Sequence, residues 1–308
     1  MPTTRRFDAS ARTQRHAPGL AIVYMVAAGV LITLNNTATK AVAHAVPLGE
    51  LIFFRGLTAA LLIALWLRVG SGSFADLKVR RPWDHFWRGV LMVISMFAFI
   101  AGVRAMPLVD VQALVFIGPV LITAMAPFLL GERVGWHRWS AVLVGFAGVI
   151  VMLRPGAAGL YWIALLPLAS ALASALRDIM TRRMSAGDTS LAIEFYTQLI
   201  VVAAATAAAG WIVPAPRDLG LVVLCGVLLT GAHVLMIESL RFAEAVAVAP
   251  FRYLMLIWTG LLGFAFFGEI PDLWAIAGSA LIVASGLYVI HRETRRRPKV
   301  QPQLPTVD

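Results

Sequence analysis

The segment Phe-Phe-Gly-Glu at residues 266–269 closes one long apolar run, and Leu-Leu-Gly-Glu at residues 129–132 closes another. The two glutamates lie 137 residues apart, and the same distance separates Arg104 from Arg241, each of which precedes its run. A further apolar run follows each Gly-Glu pair. Matched spacing of this kind predicts that the chain contains two copies of one structural unit.

The composition excludes an ordinary soluble domain. The 308 residues are 60% hydrophobic and only 14% charged, whereas soluble domains average about 25% charged residues. A net charge of +10 would suggest nucleic-acid binding in a soluble protein, but the basic residues here cluster between apolar runs, as they do in membrane proteins. We therefore expect a lipid bilayer and no nucleic acid as a partner. The single cysteine, Cys225, lies in an apolar run and is expected to be a small core residue.

Ten apolar runs are long enough, or nearly so, to cross a bilayer, which takes about 20 residues at a rise of about 1.5 Å each. They are bounded by charged residues, proline or glycine, at residues 20–39, 48–67, 87–106, 109–130, 138–153, 160–181, 190–210, 218–240, 245–267 and 273–290. The first run follows a basic segment and lacks a small-residue cleavage site followed by a soluble domain. We therefore expect a retained first helix and not a removed signal peptide.

Five spans per copy is an odd number, so the second copy must be inverted in the membrane relative to the first. The predicted fold is all-α and integral to the membrane, with ten transmembrane helices arranged as two inverted five-helix repeats. We expect basic cytoplasmic tails at residues 1–18 and 292–308, and repeats at residues 19–156 and 157–291. Two similar halves that rock about a site at the midplane are an architecture of transporters.

The distribution of basic residues predicts the orientation. With the N-terminus inside, the inner segments hold 19 Lys and Arg residues, and the outer segments hold 4. Such an excess marks the cytoplasmic side. We expect a multi-pass protein of a bacterial-type inner membrane with both termini in the cytoplasm.

Two sets of segments resemble a known family. In the first half they are Gly131-Glu132-Arg133 and the run from Trp139 to Val149, and in the second half Ala249-Pro250-Phe251-Arg252-Tyr253 and the run from Phe267 to Asp272. These segments are similar to the drug/metabolite transporter superfamily, specifically its EamA type with two five-helix repeats. The resemblance spans nearly the whole chain, from about residue 20 to residue 292.

Within that family, Phe54-Arg55, Arg177-Asp178-Ile179-Met180 and the segment around Arg252 look most like the branch of S-adenosylmethionine and riboflavin uptake carriers. The resemblance implies a secondary carrier of a small metabolite, without a cofactor and without a nucleotide-driven step. No Walker motif is present in the sequence. The alternative within the superfamily is an exporter of amino acids or of amphipathic amines and drugs.

Charged residues inside predicted spans are the first candidates for a binding site, because a charge facing lipid is costly. Six charged residues deep in the spans are singled out, namely the cations Arg55, Arg177 and Arg252 and the acids Asp178, Glu194 and Glu238. Pro250, two residues before Arg252, removes a backbone donor and can open the helix toward a cavity. The alternative is that these charges form structural ion pairs.

Uncharged residues extend the candidate site. Asn35 and Gln198 lie in predicted spans, and Tyr253 and Trp258 follow Arg252 closely enough to supply an aromatic lining. Ser170, Ser174, Arg177 and Thr181 share one helical face, where the hydroxyl groups could instead join helices to one another. His233, the one histidine inside a span, is expected to be a core residue, and the alternative is a member of a proton relay.

The predicted mechanism is alternating access to a cavity between spans 1, 2, 6, 7, 8 and 9. Arg252 and Arg55 would bind an anionic group of the substrate. Glu194 or Glu238 would bind a substrate cation or a coupling proton, and an exchanged metabolite is the alternative driving partner. The sequence has no His-Glu-x-x-His, no Gly-x-Ser-x-Gly and no cluster of Cys or His ligands, so we expect neither an enzyme nor a metal site.

Overall fold

The computed structural model describes residues 17–69, 77–129, 135–153, 160–184, 188–242 and 249–296, and every regular element in these ranges is helical. In chain order the elements are α1 (Pro18–Val42), α2 (Leu48–Val69), α3 (Pro82–Ala105), α4 (Leu108–Val115), α5 (Gly118–Leu129), α6 (Trp136–Leu153), α7 (Leu160–Ile163), α8 (Leu165–Met184), α9 (Ser190–Ala208), α10 (Pro216–Phe242), a 3-10 helix (Ala249–Tyr253), α11 (Leu254–Phe267) and α12 (Leu273–Arg296).

The helices match the ten predicted runs, with three interruptions. The fourth run is broken between α4 and α5 at Phe116 and Ile117, the sixth is broken at Ala164, and the ninth opens with the 3-10 helix. Pro119 explains the first break, because proline lacks a backbone N–H and is tolerated in the first turn of a helix but not in its interior. The start of the ninth run, residues 245–248, lies outside the described residues.

Six of these helices are long and apolar enough to cross a membrane, judged by length and composition, and three shorter apolar helices accompany them. The membrane-spanning windows begin at Gly19, Leu48, Pro82, Leu108, Leu191 and Pro216. Helix α8 is as long as these but is not among them. It carries Arg177, Asp178, Arg182 and Arg183, which lower its mean hydropathy.

The packing of the helices repeats between the two halves. Helix α1 corresponds to α8 in the other half, and α10 corresponds to α3. Helix α1 packs against α10, and α8 packs in the same way against α3. Helix α1 also contacts α11, as α8 contacts α5, while the counterparts α2 and α9 pack on each other, as do α6 and α12. Exchange of the two halves therefore leaves these main helix pairs unchanged, as is expected of two inverted repeats.

Small residues bring α6 and α12 into backbone contact. A Cβ atom added to Gly278 would lie 2.6 Å from the carbonyl oxygen of Gly148, and one added to Gly148 would lie 2.8 Å from the oxygen of Gly278. Ser285 donates a hydrogen bond of 2.6 Å to the carbonyl oxygen of Ala141 across the same contact. This close approach, typical of membrane helices, fixes the closing helices of the two repeats to each other.

Candidate functional site

A cavity of about 280 Å³ lies between the two halves. Helices α1, α2, α3, α8 and α10 line it, together with the broken segments α4–α5 and the 3-10 helix with α11. Its polar lining consists of Asn35, Asn36, Arg55, Ser95, Gln112, Ser170, Ser174, Arg177, Asp178, His233, Arg252 and Tyr253. Met92, Met96, Phe99, Phe116 and Met255 are among its apolar lining. The third and fourth spans therefore contribute to the cavity, although the sequence analysis did not include them.

Nine of the residues singled out from the sequence line this cavity, namely Asn35, Arg55, Ser170, Ser174, Arg177, Asp178, His233, Arg252 and Tyr253. Glu194 and Gln198 instead line a smaller neighbouring cavity of about 40 Å³, which shares Leu229 and His233 with the larger one. The side chain of Glu238 lies outside the described residues.

Trp258 is not among the residues that line either of these two cavities, and its role in the site stays a prediction. Its side chain is 37% exposed on the surface of α11. Six residues separate it from Arg252, and at about 3.6 residues per turn this spacing is well short of two full turns. The side chains of Arg252 and Trp258 therefore lie on different faces of the segment.

Arg55 is a buried cation without an acidic partner in the part of the chain that the structure describes. It is 5% exposed, and Nη1 donates a hydrogen bond of 3.5 Å to Oγ1 of Thr39. Its Nε atom has no hydrogen-bond partner. A buried guanidinium is costly unless it is neutralised, so Arg55 is prepared to bind an anion.

Arg252 and Tyr253 occupy the 3-10 helix that interrupts the ninth span. Arg252 is exposed where it lines the cavity, and among the described residues it has neither a hydrogen bond nor an ion pair. Tyr253 is buried, its hydroxyl group has no partner, and its ring lies 5.3 Å from that of Phe116. Phe116 stands at the break between α4 and α5, so the interruptions of the two repeats meet at the cavity.

Arg177 and Asp178 form an ion pair between adjacent residues of α8. Nη2 and Nε of Arg177 donate to Oδ1 of Asp178 at 2.9 and 3.2 Å, and Nη1 lies 2.9 Å from the sulfur of Met92. The guanidinium of Arg177 is therefore already engaged, as the ion-pair alternative expects. The carboxylate remains partly open, since the side chain of Asp178 is 44% exposed.

Glu194 is the centre of a polar network and is not a free acid. Its Oε1 lies 3.2 Å from Nδ1 of His233 and accepts a hydrogen bond of 2.9 Å from Nε2 of Gln198. Its Oε2 lies 3.8 Å from Nη2 of Arg88. The oxygens of Glu194 therefore face three cationic or donor side chains, and binding of a substrate cation by Glu194 stays a prediction.

Arg88 is a functional candidate that the sequence analysis missed. It is 7% exposed and donates to Oγ1 of Thr181 at 2.8 Å, to the carbonyl oxygen of Ile193 at 3.3 Å, and to Oγ1 of Thr197. The sequence analysis counted it among the loop charges because it stands near the start of α3. Its position within the amphipathic start of a span was the one feature of the sequence that could have indicated a role for Arg88.

Three buried amides form a chain along the cavity wall. Asn35 Nδ2 donates to Oδ1 of Asn36 at 3.1 Å, and Nδ2 of Asn36 donates to Oε1 of Gln112 at 3.0 Å. The Oδ1 atom of Asn35 has no partner. Asn36 and Gln112 were not predicted, although three carboxamides in apolar runs are unusual enough to have been noticed.

The serines of α8 join helices, as the alternative interpretation expected. Oγ of Ser95 on α3 lies 3.0 Å from Oγ of Ser170 and 2.8 Å from Oγ of Ser174. These hydroxyl groups satisfy one another across the α3–α8 contact. His233, expected to be a core residue, instead lines both cavities.

Polar contacts between the halves close one end of the bundle. Lys40 at the end of α1 pairs with Glu269 in the segment before α12, and Nζ of Lys40 also donates to the carbonyl oxygen of Met106 at 3.1 Å. Oε2 of Glu269 accepts a hydrogen bond of 2.8 Å from the backbone N–H of Leu108. Lys40 and Glu269 are 11% and 17% exposed. The exposed side chains of Asp178 and Arg252 lie toward the opposite end of their spans, which indicates that the cavity opens there.

No group of three or more His, Cys, Asp or Glu residues within the described ranges could hold a metal ion. The chemistry that this cavity offers is recognition by guanidinium groups, carboxamides and aromatic rings.

The sequence and the fold resemble those of known proteins. The EamA-like transporter family matches residues 19–154 and again residues 158–291. A riboflavin transporter of Rhizobium johnstonii is 32% identical over 291 residues, which cover 92% of this chain and 95% of the relative. An S-adenosylmethionine uptake transporter of Rickettsia prowazekii is 27% identical and covers 86% of this chain and 90% of its own.

A pseudopaline exporter of Pseudomonas aeruginosa is 26% identical, over 86% of this chain and 93% of its own. A crystal structure that is 21% identical in sequence superposes with a TM-score of 0.62 and covers 90% of this chain and 99% of that chain. At this identity the likeness supports the fold and nothing more.

Proposed function

The chain belongs to the EamA-like transporter family and is a multi-pass membrane transporter of small molecules. From this premise we propose that its substrate is a small organic metabolite with an anionic group, such as the carboxylate of S-adenosylmethionine, and neutral riboflavin is the alternative. The observation that carries the proposal is the pair of arginines, Arg55 and Arg252, which face one cavity between the halves without an acidic partner among the described residues. Guanidinium groups bind carboxylates and other oxyanions in a bidentate manner.

The transport step is alternating access. The repeats at residues 19–156 and 157–291 move relative to each other, and the cavity is exposed first at one membrane surface and then at the other. The contacts of Lys40, Glu269 and Leu108 close one end while Arg252 and Asp178 are open to solvent at the other. With both termini in the cytoplasm, the closed end is periplasmic and the open end is cytoplasmic.

The pair of His233 and Glu194 is the group that supports proton coupling. His233 lines the substrate cavity, while Glu194 lies behind it and also faces Arg88 and Gln198. Arg55, Arg177, Asp178 and Arg252 are the other charged groups of the cavity. A proton taken up by the histidine would add positive charge beside an anionic substrate, which links binding to pH.

Export is a second candidate for the direction of transport. One relative, at 26% identity over most of both chains, is named a pseudopaline exporter. The same cavity serves either direction, because the gradients and not the architecture set the net flux. The exported solutes would be amino acids or amphipathic amines and drugs of the kind that the superfamily handles.

Uptake into proteoliposomes tests the proposal. Labelled S-adenosylmethionine and riboflavin, with a panel of amino acids and amines, are offered to the purified protein at several internal and external pH values. Saturable uptake of at least one solute supports a carrier, and its dependence on a pH gradient supports proton coupling. A folded protein that moves none of these solutes in either direction contradicts the proposed substrate class.

The orientation is tested separately by reporter fusions. Fusions after residues 85 and 295 should report the cytoplasm, and a fusion after residue 156 should report the periplasm. The expectation follows from the 19 basic residues on the inner segments against 4 on the outer ones. A periplasmic signal at residue 295 would reverse the assignment of the closed end.

A further inference from the structure

Two residues that line the cavity, Asn35 and Arg55, each have a buried polar atom without a hydrogen-bond partner. Asn35 is 2% exposed and its Oδ1 atom has no hydrogen-bond partner, and Arg55 is 5% exposed and its Nε atom has none. Thr39, one turn from Asn35 on α1, accepts a hydrogen bond from Nη1 of Arg55. Cys225 contacts both turns, since its Sγ lies 3.6 Å from Oγ1 of Thr39 and 3.7 Å from the carbonyl oxygen of Asn35. Thr39 and Cys225 thus connect the part of the wall that holds Asn35 with the part that holds Arg55.

The free atom of Asn35 is an oxygen because its nitrogen is already used. Nδ2 of Asn35 donates to Asn36, and Asn36 donates in turn to Gln112. This chain of amides leaves the buried oxygen of Asn35, a residue that lines the cavity, as an acceptor without a donor. A buried acceptor without a donor is unfavourable, so the site favours a ligand that brings an N–H or O–H group to it.

The charge of Arg55 decides which group of the ligand must lie next to the N–H or O–H group that Asn35 accepts. A neutral carbonyl group could accept a hydrogen bond from the guanidinium, but it would leave a buried positive charge without compensation. A carboxylate satisfies both requirements. The site therefore favours a ligand group in which a donor and a carboxylate are neighbours.

We propose that Asn35 and Arg55 form a subsite for an α-amino-carboxylate, in which Arg55 binds the carboxylate and Oδ1 of Asn35 accepts a hydrogen bond from the ammonium group. This inference rests on the proposed transport function and names the part of the substrate that the cavity recognises. Glu194 does not compete for the ammonium group, because His233, Gln198 and Arg88 surround its oxygens. Arg252, which lines the open part of the cavity, remains available for the rest of the ligand.

Binding to the purified, detergent-solubilised full chain tests the subsite. The probes are S-adenosylhomocysteine and 5′-methylthioadenosine, two thioethers that share the adenosine and differ in the amino-carboxylate head, together with riboflavin, which has no such head. We expect the wild type to bind S-adenosylhomocysteine about 10- to 100-fold more tightly than methylthioadenosine, the effect of a charge-assisted hydrogen bond. In Arg55→Gln and in Asn35→Leu this ratio should fall toward one.

Arg104→Gln is the matched control. Arg104 is a half-buried arginine outside the cavity lining, and its Nη2 donates to the carbonyl oxygen of Val46 at 2.7 Å. The variant should keep the wild-type ratio of affinities. If Arg55→Gln does not fold, Asn35→Leu and Arg55→Lys provide the same comparison, since lysine keeps the charge without the planar fork.

Equal affinity of the wild type for the two thioethers would overturn the subsite, as would a preference that persists in both Arg55→Gln and Asn35→Leu. Binding of riboflavin without binding of S-adenosylhomocysteine would also overturn it and would leave the transport function intact. If no probe binds, the subsite is rejected, and uptake of the wider solute panel decides separately whether the transport proposal stands.

Discussion

Lys40 and Glu269 form an ion pair that joins the two repeats at the closed end of the bundle. Glu269 is also the second of the two glutamates whose 137-residue spacing indicates the repeat in the sequence. It accepts a hydrogen bond from the N-terminus of α4 through Leu108, so one carboxylate connects three segments from both halves. Opening this end requires that these contacts separate.

Lys40→Met should therefore favour opening at this end. If the variant loses about 1–2 kcal/mol of the free energy that favours the closed form, the equilibrium between closed and open forms changes roughly 5- to 30-fold. In a Cys225→Ala background, a cysteine placed at Met96 in the cavity should react faster with an impermeant maleimide added from this side. Arg81→Gln, which removes an exposed pair with Asp84 at 4.0 Å, is the control. An unchanged labelling rate in Lys40→Met would show that the pair does not hold this end closed.

Arg88 should stabilise the fold because it compensates buried acceptors of α8 and α9. Arg88→Met leaves Glu194 without its guanidinium neighbour at 3.8 Å, at a cost of about 3 kcal/mol. The melting temperature in detergent should fall by roughly 5–10 °C. The double variant Arg88→Met with Glu194→Gln should recover part of this loss, because no acid is then left unpaired.

Arg68→Met, at an exposed position of α2, is the matched control and should melt within about 1 °C of the wild type. If Arg88→Met melts like this control, the network does not stabilise the fold. If the double variant melts no higher than the single one, the ion pair is not the source of the stability.

The number and order of the helices could be predicted because long apolar runs are readily recognised, and the inverted repeat followed from the spacing of its arginines and glutamates. The breaks could not be placed so well. Gly118 and Pro119 lie within a continuous apolar run, so hydropathy alone does not reveal that α4 ends before them. What decides the break is backbone geometry, since proline fits a first helical turn and disrupts an interior one.

The cavity was only partly predictable for a related reason. Arg55 and Arg252 could be found because an isolated charge in an apolar run has few explanations. The partners of Glu194 could not, because Arg88 and His233 approach it from α3 and α10, which are distant in the sequence. The closeness of Trp258 to Arg252 in the sequence did not decide its place, because six residues at about 3.6 per turn put the two side chains on different faces of the segment.

The contact between His85 and Asp188 should make the stability of the fold decrease at acid pH. Nε2 of His85 lies 2.9 Å from Oδ2 of Asp188 in the segment between α8 and α9, and the backbone N–H of Arg80 donates to Oδ1 at 3.1 Å. Burial alone would raise the pKa of the Asp188 carboxyl, but the hydrogen bonds from His85 and Arg80 outweigh it and hold the pKa below its usual value.

A carboxyl with a lowered pKa in the folded state stabilises the fold above its unfolded pKa, which is about 3.9, and the contribution is lost as the pH falls toward the folded pKa. The melting temperature of the wild type should therefore decline below about pH 4 more steeply than that of Asp188→Asn. Asp84→Asn, in an exposed pair, should keep the wild-type profile. Parallel profiles for wild type and Asp188→Asn would contradict this assignment.

Gly278 should not tolerate a side chain. A Cβ atom there would lie 2.6 Å from the carbonyl oxygen of Gly148, so Gly278→Ala must separate α6 from α12, at a cost of about 1–3 kcal/mol. We expect a lower melting temperature and a lower yield of folded protein. Gly220→Ala on α10, where nothing lies within 4 Å of an added Cβ, should be neutral. Equal stability of the two variants would show that the backbone contact is not close.

The most direct test of a substrate path through the cavity is the initial rate of solute uptake by Arg252→Lys and by Arg252→Ala. The yield and the melting temperature of each variant are measured at the same time to show whether it folds. Because Arg252 has no ion pair or hydrogen bond among the described residues, both variants should fold like the wild type. Lysine keeps the charge but not the bidentate geometry, so we expect uptake to fall sharply in Arg252→Lys and to vanish in Arg252→Ala. Normal uptake by a well-folded Arg252→Ala protein would contradict the account.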